Sequence, residues 1–436
     1  MTGARLKGDI VRGMQSAFRR PGFVCADHVL EVPLDHAHPS GPTIEIYARE
    51  VVAPGREDDD LPWLLFLQGG PGHRATRPGA DPGAWLERAL QEYRVLLLDQ
   101  RGTGRSTPAN RQTLPPDSAE AAAYLRHFRA DSVVRDAELL RRQLIGDRPW
   151  SVLGQSFGGF CAVTYLSLAP EGLREAFITG GLPSLTAGAD EVYRAAYPRV
   201  LAANERYFER YPGDQDVVRR IVDHLREHDV RLPDGERLTA RRFQTLGHGL
   251  GNSVQFDNLH YLLEEAFIGR GQLSDAFLHK VHASVSYASH PLYALLHEAI
   301  YCQGAASQWA AQRVLDEFPE FALDGDGPVR LVGEMIYPWF FEEDPALRPL
   351  RECADLLAAY DEWPALYDPG RLAANTVPAV AAVYHDDMYV DRDHSLQTAD
   401  AIAGLRTWIT NEYAHNGLSA DARVLDRLIA MARGQA

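Results

Sequence analysis

The residue whose surroundings most clearly predict chemistry is Ser156, at the centre of the segment Gly154-Gln-Ser-Phe-Gly158. An apolar run at 150–153 precedes this segment, and a helical pattern follows it. A turn this tight between a strand and a helix leaves no space for side chains beside the serine, which explains the flanking glycines. Such a turn exposes the hydroxyl at the carboxyl edge of a sheet, where the N–H groups of the next helix favour negative charge. The segment therefore predicts a nucleophile elbow.

A second glycine-rich segment, Gly69-Gly-Pro-Gly72, follows an apolar run at 63–67. A serine hydrolase needs backbone N–H donors aimed at the oxyanion, and each donor lowers the barrier by about 3 kcal/mol. Glycine lets the backbone approach a substrate without a side chain in between. Taken alone, the segment would be an ordinary tight turn. With the elbow elsewhere in the chain, it predicts an oxyanion hole formed by the N–H groups of Gly70 and Phe157.

A nucleophilic serine requires a general base and an acid that orients the base. In the α/β-hydrolase fold these follow the serine in the order acid, then histidine. His415 is the only histidine beyond the last strand-like run, so we expect it to be the base; the alternative is an exposed turn histidine. Three carboxylates, Asp386, Asp387 and Asp391, follow the preceding strand-like run, and spacing alone leaves the choice among them open.

The elements that must position these residues are visible in the hydrophobic pattern. Short apolar runs at 63–67, 95–98, 151–153 and 176–179 alternate with helical patterns, which is typical of a mostly parallel sheet buried on both faces. Alternation near 30–34 and 44–48 predicts an antiparallel pair, with Pro33 at an edge. Long helical stretches follow residue 183, and strand-like runs return at 380–384 and 405–410.

This order predicts an α/β-hydrolase fold with a large inserted helical cap. We expect a catalytic domain formed by residues 1–182 and 372–436, and a cap formed by residues 183–371. Two independent domains in series are the alternative, but they would leave the last two strands without a sheet.

Composition narrows the class of protein. The chain has 436 residues, 45% hydrophobic and 24% charged, as in a soluble globular protein. With 44 basic and 60 acidic residues, its net charge of −16 argues against nucleic-acid or anionic membrane partners. Four scattered cysteines, no signal-peptide core and no membrane-length apolar stretch predict a cytoplasmic protein without a metal site. The sequence gives no indication of the oligomeric state.

A third glycine-containing segment, Asp99-Gln-Arg-Gly-Thr-Gly104, lacks the spacing of a nucleotide-binding loop. We expect Asp99 and Arg101 to hold this loop in place beside the site.

Together, Gly69–Gly72, Asp99–Ser106 and Gly154–Gly159 resemble the motifs of the prolyl aminopeptidases, or proline iminopeptidases, a group of α/β-hydrolase serine peptidases. The likeness covers about 61–183 and 377–418 and is looser over the insertion. It implies removal of an N-terminal proline from short peptides or amino-acid amides, without metal or cofactor. The acid of that family directly precedes a methionine, which implies Asp387.

Some residues depart from the family pattern. Gln68 stands where the family usually has histidine, His73 and Arg74 follow the glycine motif, and Ala414 precedes His415. These departures bear on the substrate more than on the reaction.

The resemblance also implies acidic cap residues that hold the free amino terminus of the substrate. Glu298 and Glu334 are the candidates, because each lies among apolar and aromatic residues; the alternative for both is a solvated glutamate. Five nearby aromatic residues would form either a pocket for the proline ring or, for most of them, the core of the cap: Tyr301, Tyr337, Trp339, Phe340 and Phe341.

Two other functions stay open at this point. A carboxylesterase or another cofactor-free hydrolase would use the same Ser-His-Asp triad, since fold does not determine substrate. A binding protein could keep the fold without activity.

Overall fold

A computed structural model describes residues 17–79, 83–325 and 327–436. The expectation that no signal peptide is present falls largely on residues 1–16, which lie outside the described residues. In chain order the strands are β1 (Ala17–Arg20), β2 (Phe23–Pro33), β3 (Thr43–Val52), β4 (Trp63–Leu67), β5 (Arg94–Leu98), β6 (Trp150–Gln155), β7 (Leu173–Thr179), β8 (Phe267–Ile268), β9 (Gln272–Leu273), β10 (Ala379–Tyr384) and β11 (Arg406–Thr410).

The helices before and within the insertion are α1 (Ala84–Leu90), α2 (Ser118–Leu125), α3 (Ala130–Ile145), α4 (Phe157–Leu168), α5 (Ala189–Arg210), α6 (Asp214–Glu227), α7 (Ala240–Gln244), α8 (Ser253–Glu264), α9 (Asp275–Val285), α10 (Pro291–Leu296), α11 (Ala310–Leu315), α12 (Phe340–Glu343) and α13 (Arg351–Ala359). Those after it are α14 (Pro369–Ala373), α15 (Arg392–Ala401), α16 (Gly417–Ala420) and α17 (Ala422–Ala432). None of the described helices has the length and apolarity that crossing a membrane requires.

The main sheet has the strand order β1-β2-β3-β5-β4-β6-β7-β10-β11. The first three strands are antiparallel, and Leu30 pairs with Ile46 as the alternation predicts. Pro33 lies on the part of β2 beyond the short β1, at the open edge of the described sheet, where a missing N–H costs no ladder hydrogen bond. Sequence analysis did not predict β1, nor the β8–β9 hairpin inside the insertion.

From β5 to β11 the neighbouring strands of the sheet are parallel. Their carboxyl ends therefore meet at one edge, and the loops that leave this edge carry the predicted site residues. The predicted mostly parallel sheet with an inserted run of helices is confirmed.

The two faces of the sheet are covered differently. One face packs against α1 and α17 in a compact apolar cluster. The other packs against α3 and α4, and its cluster continues into the insertion through buried rings such as Tyr193 and Phe341. The insertion thus shares a core with the sheet.

The predicted division at 182/183 and 371/372 stays a prediction. Its second boundary falls within α14, which packs on α4, and the Asp368 N–H donates to Ser167 Oγ at 3.1 Å.

Candidate active site

Ser156 occupies the turn between β6 and α4, with φ 57° and ψ −126°. A non-glycine residue in this region of backbone space is strained, as is common at functional sites. A Cβ atom on Gly154 would overlap the carbonyl oxygen of Gly158, and one on Gly158 would overlap the carbonyl oxygen of Leu67. Close backbone packing therefore requires the glycines of the elbow motif.

His415 lies in the loop after β11, and its side chain contacts Asp387. The distance between His415 Nδ1 and Asp387 Oδ2 is 2.7 Å. The other carboxylate oxygen, Oδ1, accepts hydrogen bonds from the N–H groups of Tyr389 (2.9 Å) and Val390 (3.1 Å). Only 1% of Asp387 is exposed, so these three hydrogen bonds satisfy a buried carboxylate. The loop after β10 thus holds Asp387 rigidly against the imidazole.

The two other candidate acids point elsewhere. The Asp386 carboxylate lies 3.1 Å from His385 Nδ1 and is partly exposed. Asp391 caps α15 by accepting a hydrogen bond from the His394 N–H at 2.8 Å. Of the three carboxylates that spacing left open, the structure brings Asp387 to His415.

The imidazole of His415 is largely enclosed. Its backbone N–H donates to the Gly251 carbonyl oxygen at 3.1 Å, and its ring meets that of Tyr389 edge to face, with centroids 4.8 Å apart. Burial lowers the pKa of His415, but the adjacent Asp387 carboxylate outweighs burial, and the net pKa lies above its ordinary value.

Ser156 and His415 lie at the same edge of the sheet, on either side of the end of β7. The Ser156 N–H donates to the Thr179 carbonyl oxygen at 3.0 Å, at the end of β7. The next residue, Gly180, has φ +50°, and a Cβ there would lie 3.1 Å from His415 Nδ1. The serine and the imidazole therefore flank the same short stretch of backbone.

The glycine-rich loop after β4 contacts the elbow. A Cβ on Gly69 would lie 3.0 Å from Ser156 Cβ, which places the adjacent Gly70 beside the serine. Phe157 is the first residue of α4, so its N–H has no acceptor within the helix. The structure thus brings the glycine-rich loop against Ser156 through Gly69, and Phe157 directly follows the serine.

The loop after β5 is held as expected. The Asp99 carboxylate accepts hydrogen bonds from the N–H groups of Ala75 (3.1 Å) and Arg105 (2.9 Å). Arg101 is buried and donates to Asp136, with its Nε 2.7 Å from Oδ2. Asp99 in this way ties the segment after the glycine-rich loop to the sheet.

Glu334 lies in the insertion near the Asp387–His415 pair. Its carboxylate accepts a hydrogen bond from Tyr293 Oη at 2.6 Å and lies 3.8 Å from His248 Nε2. The pKa of Glu334 is raised to about 7. Burial is the main cause and Asp387 adds to it, while the Tyr293 hydrogen bond and His415 oppose the rise. Its side chain keeps 15% exposure, so a small ligand has access to it.

Glu298 has a different environment. The Ala311 N–H donates to its Oε1 at 2.9 Å, at the start of α11. Among the described residues, no partner reaches its buried Oε2, and the buried hydroxyl of Tyr193 also lacks one. Burial raises the pKa of Glu298 above its ordinary value. The charge of Glu298 near Tyr193 also contributes to a raised pKa of that phenol, after burial.

Most of the predicted aromatic residues form the core of the insertion. Four are buried there: Tyr337, Trp339, Phe340 and Phe341. Tyr301 is partly buried, and its ring centroid lies 6.1 Å from that of Phe160, on the helix after the elbow.

Sequence reasoning missed Tyr293, His248 and Tyr389. Tyr389 follows Asp387 by two residues, and that proximity is the signal that could have found it. The other two carry no local signal. No three His, Cys, Asp or Glu side chains within the described ranges are grouped as a metal site requires.

Comparison with known proteins assigns the family. Residues 62–278 match the alpha/beta hydrolase fold family. The proline iminopeptidase of Aeromonas sobria is 52% identical over 415 residues, covering 94% of this chain and 97% of the relative. The proline iminopeptidase aneH of Aspergillus aculeatus is 37% identical over 415 residues, covering 92% of each chain. With such likeness over nearly its full length, and with the elbow and the Asp387–His415 pair in one site, the chain belongs to the proline iminopeptidase family of α/β hydrolases.

Proposed function

We propose that this protein is a serine aminopeptidase that releases an N-terminal residue, preferentially proline, from short peptides. The observation that carries the proposal is the buried hydrogen bond between Asp387 and His415 at the sheet edge where Ser156 turns into α4. The preference for proline is supported by the names of relatives that match nearly the whole chain.

In the acylation step Ser156 Oγ attacks the carbonyl carbon of the first residue, and its proton passes to His415 Nε2. Asp387 fixes the tautomer by accepting from Nδ1–H and stabilises the imidazolium. The oxygen that becomes negative is held by the N–H groups of Gly70 and Phe157. His415 then protonates the leaving amine, the C–N bond breaks, and an ester to Ser156 remains.

In the deacylation step water attacks the ester and gives its proton to His415. The C–O bond to Ser156 breaks, the free amino acid leaves, and the serine recovers its proton from His415. Each turnover thus consumes the peptide and one water molecule.

Glu334 and Glu298 are the proposed anchors for the cationic amino terminus. A carboxylate in a partly dry pocket binds an ammonium or imino group more strongly than one on the surface. Glu334 faces the Asp387–His415 pair, and the second oxygen of Glu298 has no partner among the described residues. Anchoring the free terminus one residue from Ser156 would limit cleavage to a single residue.

A cytoplasmic location is the proposed setting. All four cysteines are buried and free, as is usual in a reducing compartment.

The test compares kcat/KM for prolyl-naphthylamide, its N-acetyl derivative and a p-nitrophenyl ester. We expect the free amine to be preferred by at least about 100-fold over the blocked one, since a lost charged hydrogen bond costs about 1.5–3 kcal/mol and the acetyl group adds bulk. Equal rates with and without the acetyl group would contradict the aminopeptidase and favour the esterase alternative. A panel of other aminoacyl-naphthylamides measures the preference for proline.

A further inference from the structure

A cavity of about 1350 Å³ is lined in part by residues 72–77, the segment that follows the glycine-rich loop. Its wall carries four arginines and two histidines: Arg74, Arg77, Arg105, Arg111, His73 and His290. No Asp or Glu is among the described residues that line it. This is unexpected in a chain whose net charge is −16, because the acids elsewhere outnumber the bases. The cavity is therefore a local concentration of positive charge.

Two of the four arginines form ion pairs with buried aspartates. Arg77 pairs with Asp99, and Arg105 lies 2.9 Å from Asp27. Arg74 and Arg111 are exposed, and neither has a carboxylate within 4 Å among the described residues. Arg74 makes a single long contact, 3.5 Å to the Ala75 carbonyl oxygen. These two guanidinium groups are therefore available to bind an anion in the cavity.

The cavity and a second cavity beside His415 share one lining residue. Thr76 lines both this cavity and a second one of about 340 Å³, whose wall includes His415 and Gln155. His415 must pass its proton to the leaving amine, so the leaving peptide begins beside this imidazole. A peptide that extends from His415 past Thr76 enters the region of the arginines.

We propose that this cationic cavity binds a carboxylate of the leaving peptide, supplied either by its C-terminus or by an acidic side chain. The proposal rests on the proposed function, because it needs a peptide leaving group. Guanidinium groups match carboxylates with paired N–H donors, and such charge-assisted hydrogen bonds are about twice as strong as neutral ones. An extended chain spans about 3.3–3.6 Å per residue, so the length of the leaving peptide decides whether its carboxylate reaches Arg74 and Arg111.

The first experiment compares Pro-Gly, Pro-Gly-Gly and Pro-Gly-Gly-Gly, each as the free acid and as the C-terminal amide. For at least one length we expect kcat/KM of the acid to exceed that of the amide about tenfold, as a contribution of about 1.4 kcal/mol would give. The preference should shrink at 1 M salt, because exposed charges are screened there. Pro-Glu-NH₂ against Pro-Gln-NH₂ distinguishes a side-chain carboxylate from a terminal one.

The second experiment uses the double variant Arg74→Ala, Arg111→Ala. We expect it to lower the rate on the favoured acid to that on its amide, while the rate on prolyl-naphthylamide, which has no carboxylate, stays within about twofold. Arg20→Ala, which removes an exposed arginine from β1, is the matched control and should change neither rate.

Three results would overturn the proposal. The first is equal rates for acids and amides throughout the series together with equal rates for Pro-Glu-NH₂ and Pro-Gln-NH₂. The second is a preference that survives in the double variant, and the third is an equal loss of rate on prolyl-naphthylamide and on the acid. Failure of the wild-type protein to cleave prolyl-naphthylamide would instead contradict the proposed function, so the two failures are distinguishable.

Discussion

The sheet edge and the helical insertion both contribute candidate site residues, but the two regions hold them by different means. At the edge, Ser156, Asp387 and His415 each follow a strand, and local backbone geometry fixes each one. In the insertion, Glu298 and Glu334 occur in similar apolar and aromatic stretches of sequence, yet their environments differ. Glu334 accepts a hydrogen bond from a phenol and lies near the imidazole, whereas Glu298 accepts one from the Ala311 N–H in the first turn of α11.

The difference shows where sequence motifs carry information. A motif records constraints between residues close in the chain, such as the overlap that any Cβ on Gly158 would create. The setting of Glu334 depends on Tyr293, 41 residues away, so it arises from the packing of separate helices. We therefore expect the edge to perform the bond-breaking chemistry and the insertion to select the substrate.

The largest effect is expected for Ser156→Ala. Removing the proposed nucleophile should lower kcat by about 10⁶-fold, as loss of a triad serine does elsewhere, with KM little changed. Labelling with a fluorophosphonate should modify the wild-type protein once and the variant not at all. An unchanged melting temperature serves as the folding control. Retained turnover would show that the residues at the sheet edge do not perform the bond-breaking chemistry.

The next effect is expected for Asp387→Asn, which should lower kcat by about 10⁴-fold because the amide no longer holds the required tautomer. Asp386→Asn and Asp391→Asn are matched controls on the same loop, and each should stay within about threefold. The prediction is contradicted if either control loses as much activity as Asp387→Asn.

Asp387 also marks the limit of prediction from spacing. Three carboxylates follow β10, and only their contacts separate them: two backbone N–H groups hold Asp387, while Asp391 caps α15. The family resemblance selected the carboxylate that the structure brings to His415, because the resemblance carried information about a neighbouring methionine.

The strands show the same limit. Those buried on both faces, such as β4 and β10, follow their apolar runs closely. The four residues of β1 are mostly exposed and include two arginines, so they show no alternation of apolar and polar residues that would predict a strand. Each strand of the β8–β9 hairpin has two residues, which are too few to show the hydrophobic periodicity of a strand. Packing between distant segments decides these elements.

A smaller effect, confined to substrate selection, is expected for Glu334→Gln. Losing the charge should lower kcat/KM for prolyl-naphthylamide by about 10–100-fold, the value of a hydrogen bond between charged groups. In the proposed mechanism, activity requires neutral His415, whose pKa is raised, and ionised Glu334, whose pKa is about 7. Below both values, log kcat/KM should therefore rise with pH with a slope approaching 2 in the wild type and 1 in the variant.

Glu342→Gln is the matched control for Glu334→Gln, because Glu342 is exposed in the same insertion and pairs with Arg351 at 3.0 Å. It should leave both the rate and the slope unchanged. An unchanged slope in Glu334→Gln would remove Glu334 from the group of residues whose ionisation activity requires.

The smallest effect is expected for Glu298→Gln, and it sharpens the contrast within the insertion. One oxygen of Glu298 is already committed to Ala311, so kcat/KM should fall by less than about tenfold, below the effect at Glu334. Because burial raises its folded-state pKa above 4.5, Glu298 binds its proton more tightly in the folded chain than in the unfolded one. Its contribution to stability is therefore lost as pH rises from about 4.5 through that raised value.

Glutamine cannot ionise, so raising the pH from 5 to 8 should lower the melting temperature of Glu298→Gln less than that of the wild type. We expect the two decreases to differ by about 1–3 °C. Scanning calorimetry on both proteins and on Glu342→Gln measures this difference. Parallel curves of melting temperature against pH for all three proteins would mean that the pKa of Glu298 does not change on folding. Glu298 would then not differ from Glu334 in the way proposed, as a buried acid that supports α11 rather than an accessible one near the imidazole.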